Sequence, residues 1–192
     1  MPPITKFWHS TLKDGKSTNT PDFTQVLSEI LELCSSYTNP DPVSQQMHAL
    51  YQDVNDPTQL LMITGYPSEE LNAEADKVYA EKYLSRLFEH VHHVWLKQLD
   101  IDVRTLPLND KLVVTCGKSP SDWKNSRCPG GWDVWKKTRQ ALDNDNEAKG
   151  VETLDNPDDG VWVQVSGWGE DAQHIATPED GNVFYLQKVR GH

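Results

Sequence analysis

Seven histidines are the side chains of this chain best suited to chemistry at neutral pH. A neutral imidazole near its ordinary pKa can take a proton from a phenol or from a carbon beside a carbonyl. Three of them, His90, His92 and His93, crowd into EHVHHVW. In a helix, His90 and His93 share a face and His92 points elsewhere. A fourth, His9, lies in FWHST, where strand alternation puts Phe7, His9 and Thr11 on one face and Trp8 and Ser10 on the other. His48, near the start of the next expected strand, reads as its counterpart. The candidate bases are His9, His90 and His93, with His48 as a substrate contact. The plainer alternative is an imidazole bonded to backbone or placed at a strand end. His174 and His192 have weaker claims.

A second group is aromatic. Residues 119–135, SPSDWKNSRCPGGWDVW, gather Trp123, Trp132 and Trp135 about Pro129, Gly130 and Gly131. Paired glycines let the backbone turn sharply, and indoles supply stiff apolar area with a polar N–H edge. Such a loop suits an aromatic wall over a pocket mouth that clamps a planar ring, with Tyr66 as a further substrate contact. The alternative is core packing, since Trp132 and Trp135 are spaced like the buried stripe of a helix. No His or carboxylate pair has metal-ligand spacing, so neither metal nor other cofactor is expected. A nucleophile elbow, a phosphate loop and a dinucleotide fingerprint are all absent. Cys128 beside Arg127 is a candidate low-pKa thiol, with a buried inert thiol as the simpler reading.

The net charge of −11 argues against nucleic acid, which needs a clustered basic face, and against anionic membranes. No apolar run approaches the roughly 20 residues needed to span a bilayer. The first residues, MPPITKFWHST, lack the apolar core of a signal peptide. Three cysteines with no Cys-x-x-Cys pair suit a reduced, cytoplasmic compartment. The expected partner is a small molecule.

The elements that must position these residues follow from periodicity. Residues 4–12 predict a strand and 22–36 an amphipathic helix. Residues 47–54 and 59–65 predict a hairpin joined through Asn55-Asp-Pro57. Ser68-Glu-Glu70 opens a helix to about residue 89. His90–Leu99 predicts a further short helix and Ile101–Leu106 a strand. Beyond these, 111–116, 150–154, 161–167 and 183–189 predict strands. Residues 132–143 and 170–176 predict helices, and 123–131 a loop.

One stretch occurs twice. LLMITGYPSEE (60–70) and WVQVSGWGEDA (162–172) align on Gly65 and Gly167, each preceded by an Asp/Asn/Pro turn cluster. The repeat predicts two copies of one α+β unit, 1–106 and 107–192. Each has the split βαβ order of a ferredoxin-like fold, and the second is abbreviated. Ile63 and Val165 then occupy matching positions.

This order, the doubled hairpin and the stretch LSRLFEHVHHVWLKQLD (84–100) resemble the dimeric α+β barrel superfamily, in particular its antibiotic biosynthesis monooxygenase-like branch of fungal type. The resemblance implies two ferredoxin-like sheets closed face to face into a barrel, within one chain (a monomer) or in a homodimer. It implies a histidine near the end of the second helix, at the barrel mouth, for which His90 or His93 is the nearest match. It also implies His-mediated acid–base chemistry (cyclisation, isomerisation, dehydration) or cofactor-free oxygenation on an apolar aromatic or polyketide-like substrate of secondary metabolism, held in the barrel lumen. Two other readings stay open: a non-catalytic binding or scaffold protein, and a haem protein with a histidine axial ligand.

Overall fold

A computed structural model describes residues 3–38, 48–99, 102–117, 130–132, 161–168 and 181–191. Its frame is an eight-stranded antiparallel barrel. In chain order the elements are β1 (Ile4–Leu12), α1 (Pro21–Ser36), β2 (His48–Asp53), β3 (Gln59–Tyr66), α2 (Glu69–Lys82), α3 (Leu84–Leu87), β4 (Val91–Leu99), a 3-10 turn (Val103–Thr105), β5 (Lys111–Gly117), β6 (Gly130–Trp132), β7 (Val161–Gly167) and β8 (Asn182–Gly191). Around the barrel the strands run β1-β3-β2-β8-β5-β7-β6-β4, closing within the one chain.

The circle is two four-stranded sheets, β4-β1-β3-β2 and β8-β5-β7-β6, with matching registers. Thr5 pairs with Gly65 and Phe7 with Ile63; Leu112 pairs with Gly167 and Val114 with Val165. The two seams agree as well. Leu99 pairs with Gly131 where β4 meets β6, and Asp53 pairs with Leu186 where β2 meets β8. Ile63 and Val165 therefore hold equivalent places, as the repeat predicts. All three described helices belong to the first sheet. This is the α+β barrel of two ferredoxin-like halves, the second reduced.

Alternation sorts the apolar residues into two cores. On the outer face of the first sheet, Trp8, Leu50, Leu60, Met62 and Leu96 pack under Phe23, Leu27, Ile30 and Leu31 of α1 and Ala75 and Tyr79 of α2. Pro21 sets the first turn of α1, and the Ser68 hydroxyl caps α2 by accepting from Leu71 N. The second core fills the lumen: Phe7, Tyr51, Leu61, Ile63, Leu112 and Val114, with Leu186 and Phe184 of β8.

Four expectations are corrected. His90–Leu99 forms no helix; Val91–Leu99 is strand β4, paired with β1 along its length. Its Val and Trp side chains suit a pleated surface, and without it β1 would be an open edge. The strand expected over 101–106 does not form over 102–106. Asp102 Oδ1 accepts from Arg104 N at 2.9 Å and starts the 3-10 turn, whose Val103 plugs the lumen with an exposure of 1%. Gly65 makes room for it, because a Cβ there would stand 2.2 Å from Val103 Cγ1. Trp132 opens no helix but ends β6, so the hairpin partner of β7 is 130–132. The predicted helix over 68–89 breaks at Tyr83 into α2 and α3. The expectations over 119–129, 133–143, 150–154 and 170–176 lie outside the described residues.

β4 contains a bulge. Ser10 pairs with His93 and His9 with Trp95, so Val94 is an extra residue. Val91 and His93 face outward on one side of it. Trp95 and Leu99 face the lumen on the other.

Candidate functional site

At the end of the barrel away from the Val103 plug lies an open cleft of about 530 Å³, lined by His9, Thr11, Asp53, Asn55, Asp56, Gln59, Val94, Asn182, Val183 and Phe184. His9 comes from the lumen face of β1, by the alternation that also sends Phe7 inward. Its ring sits 5.1 Å from Trp95 and 4.9 Å from Phe184, centroid to centroid. Its Nε2 is 2.6 Å from Gln59 Oε1. Its Nδ1 is enclosed and has no hydrogen-bond partner among the described residues. Burial lowers the His9 pKa below the ordinary imidazole value of 6.5, against smaller raising effects of the Gln59 hydrogen bond and the Asp53 charge. At neutral pH the imidazole is uncharged.

The turn between β2 and β3 builds the floor. Asp53 Oδ1 accepts from Asn55 N at 2.7 Å and Asp56 N at 3.0 Å, and its Oδ2 accepts from Tyr185 N of β8 at 2.9 Å. That carboxylate folds the turn and ties it to the second sheet. Gln59 Nε2 in turn donates to Asp56 Oδ2 at 3.0 Å. Among the described residues the cleft is lined by two carboxylates and no Lys or Arg.

The other sequence candidates lie elsewhere. His93 accepts a hydrogen bond from Trp8 Nε1 at 2.9 Å on the helix-covered face. His90 stacks on Phe23 of α1 at 4.8 Å. His48 Nε2 is 2.5 Å from Thr38 Oγ1, just beyond α1. The Tyr66 hydroxyl donates to Cys34 Sγ at 3.3 Å, and burial raises its pKa well above the ordinary value. None of these four lines the His9 cleft. His9 and His48 are not on adjacent strands, since β3 lies between β1 and β2. Trp132 is a residue of β6, while Trp123 and Trp135 lie outside the described residues. Cys116, the counterpart of His9 on β5, is buried, and burial pushes its thiol up to about 12.

Asp53, Asp56 and Gln59 are the residues that sequence reasoning passed over. They fell within a turn cluster whose composition explained itself as a turn. Among the described residues no three His, Cys, Asp or Glu side chains gather to hold a metal ion. No described helix is long and apolar enough to cross a membrane.

No family model matches this chain, and no curated protein matches its sequence. Solved structures do match its fold. A protein named putative chlorite dismutase TA0507 superposes with a TM-score of 0.50 at 11% identity, over 98% of this chain and 96% of that one. A putative monooxygenase from Lactobacillus acidophilus NCFM gives 0.46 at 8% identity, covering 100% and 96%. Another from Fusobacterium nucleatum subsp. nucleatum ATCC 25586 gives 0.47 at 12%, covering 100% and 94%. At 11% identity the first of these likenesses speaks for the fold alone.

Proposed function

We propose that this protein is a cofactor-independent acid–base enzyme, acting at the His9 cleft on a neutral small molecule with an acidic O–H or C–H bond, such as a phenol or an enolisable α-aryl ketone. The observation that carries this reading is the uncharged His9 ring, held through one nitrogen by Gln59 with the other left unpartnered among the described residues. In the proposed step the free nitrogen takes the proton, the substrate keeps the electron pair as a phenolate or enolate, and the imidazolium returns the proton at another position. Returned to another carbon, the proton completes an isomerisation; returned to the alkoxide formed when the enolate attacks a carbonyl of the same molecule, a cyclisation; returned to a β-hydroxyl that leaves as water, a dehydration. Cofactor-free oxygenation would begin with the same deprotonation and take O₂ as oxidant. The Asp53 and Asp56 carboxylates disfavour an anionic substrate. Because the lumen is filled and Nδ1 is enclosed, the substrate reaches the base from the mouth by displacing the Trp95 and Phe184 rings that pack on His9.

In this reading the 1–106 half carries the base, and the 107–192 half completes the wall through Asn182, Val183 and Phe184. A cytoplasmic setting, the monooxygenase-like branch of fungal type and a place in secondary metabolism belong to the same proposal. His48, His90, His93 and Tyr66 are then structural. The filled lumen also favours a second reading, a non-catalytic binding protein that kept the barrel.

The test is proton exchange. In D₂O, wild type should speed deuterium uptake at the α-carbon of 2-tetralone by about 10²-fold or more over His9→Ala, the size general-base catalysis supplies. Equal rates in the two proteins would remove the enzyme reading. A Soret band on adding haem, lost in His9→Ala, would instead make the same nitrogen an axial ligand.

A further inference from the structure

The structure assigns a positioning role to Gln59 and Asp56: together they hold His9 in the tautomer protonated at Nε2, so that Nδ1 is its basic nitrogen. This rests on the reading of His9 as the base and adds which nitrogen acts and what selects it.

The series of hydrogen bonds starts at a group that can only accept. An ionised carboxylate has no proton to give. Hydrogen bonds from Thr58 and then Gln59 hold the Asp56 carboxyl below the ordinary carboxylate range. The Gln59 side-chain group facing Asp56 Oδ2 at 3.0 Å must therefore be the NH₂. A glutamine amide has one end of each kind, so its carbonyl oxygen faces His9. That oxygen also only accepts. The 2.6 Å approach to His9 Nε2 therefore requires hydrogen on Nε2. A neutral imidazole carries one N–H, so Nδ1 keeps a bare lone pair.

The chain is anchored as well as ordered. Asp56 Oδ1 accepts from Thr58 N at 3.0 Å and from Thr58 Oγ1 at 2.7 Å, so the carboxylate cannot turn away without losing both. Asp53 fixes the same turn to β8. On protonation the two-donor imidazolium keeps its bond to Gln59 Oε1. The ring thus receives and returns a proton without reorienting, as a catalytic imidazole held by a third group does.

The readout is the His9 imidazole in long-range ¹H–¹⁵N NMR spectra of the full chain, recorded where the ring is neutral. Wild type should show a protonated Nε2 and a bare Nδ1. Gln59→Leu should mix the two tautomers and lower 2-tetralone exchange through kcat rather than KM, in proportion to the fraction of ring moved to the wrong tautomer, which cannot act. Gln59→Glu restores the acceptor and should restore the Nε2–H tautomer. Asp56→Asn, at an exposed position, frees the glutamine amide to flip and should mix the tautomers partly; it serves if Gln59→Leu does not fold. A wild-type ring protonated at Nδ1, or a tautomer unchanged in both Gln59→Leu and Asp56→Asn, overturns the assignment. If the tautomers respond as stated but wild type exchanges no faster than His9→Ala, the positioning role stands and the enzyme reading alone fails.

Discussion

His9 and His93 lie in consecutive residue pairs on neighbouring strands yet face opposite sides of the sheet, and their replacements should separate accordingly. His93→Ala removes the acceptor of a buried indole N–H and should cost about 1–3 kcal/mol of stability, while leaving His9-dependent exchange in the surviving fold intact. His9→Ala should abolish exchange with a smaller loss of melting temperature. A larger loss of exchange than of stability in His93→Ala would move the chemistry to the helix side. Acid should act through His9 and His90, whose pKa values are both lowered, chiefly by burial. Below the ordinary 6.5 the unfolded chain binds protons that the folded chain refuses. Stability is therefore lost as pH falls from that value through the folded pKa values. His90→Gln should flatten the loss in a urea titration repeated at several pH values; an unchanged slope would exclude His90 as a contributor. Alternation in FWHST made the inward face of His9 legible from sequence. Its Gln59 partner was not, because their bond joins residues 50 positions apart.

At the scale of elements, the sharpest contrast lies between two glycines at equivalent positions. Gly65→Ala drives a methyl into Val103 and should cost about 1–3 kcal/mol as overpacking. Gly167→Ala meets, among the described residues, only Asn109 Nδ2, at 3.9 Å, and should cost less than half as much. Adding Val103→Ala should recover part of the Gly65→Ala loss; a strictly additive double mutant would show that Val103 is not what the glycine accommodates. The hairpin, α1 and the strands around both glycines were readable from periodicity and turn residues. β4 was not, since HVHHVW fits a helix on local grounds and becomes a strand only because β1 needs a second partner. The bulge completed the error: it breaks the period-two pattern at Val94, the one signal that marks a strand.

For the whole molecule, the repeat around Gly65 and Gly167 was enough to predict two copies of one unit, and the family resemblance implied their closing on each other. It could not show that the lumen would be filled, which depends on Val103 and on side chains from both halves. The halves still need each other. Residues 1–106 alone would expose Phe7, Tyr51, Leu61 and Ile63 and leave the edges of β2 and β4 unpaired. Expressed separately, this piece should associate in pairs, each β2 taking the other copy's β4 as it takes β8 in the intact chain. Size-exclusion chromatography with light scattering reads the outcome. A stable folded monomer would mean that the first half is self-sufficient and that the division at 106/107 marks a true domain boundary.

Val94 gives the wall of the cleft a freedom that strands normally lack. Removing one residue from a regular strand inverts every side chain beyond it, which confines natural changes of chain length to loops. Here the surplus residue is already out of phase. Deleting Val94 would leave His93 opposite Ser10 and Trp95 opposite His9, with both cores unchanged and the rim beside His9 one side chain shorter. The width of the mouth is thus open to variation by insertion and deletion as well as by substitution.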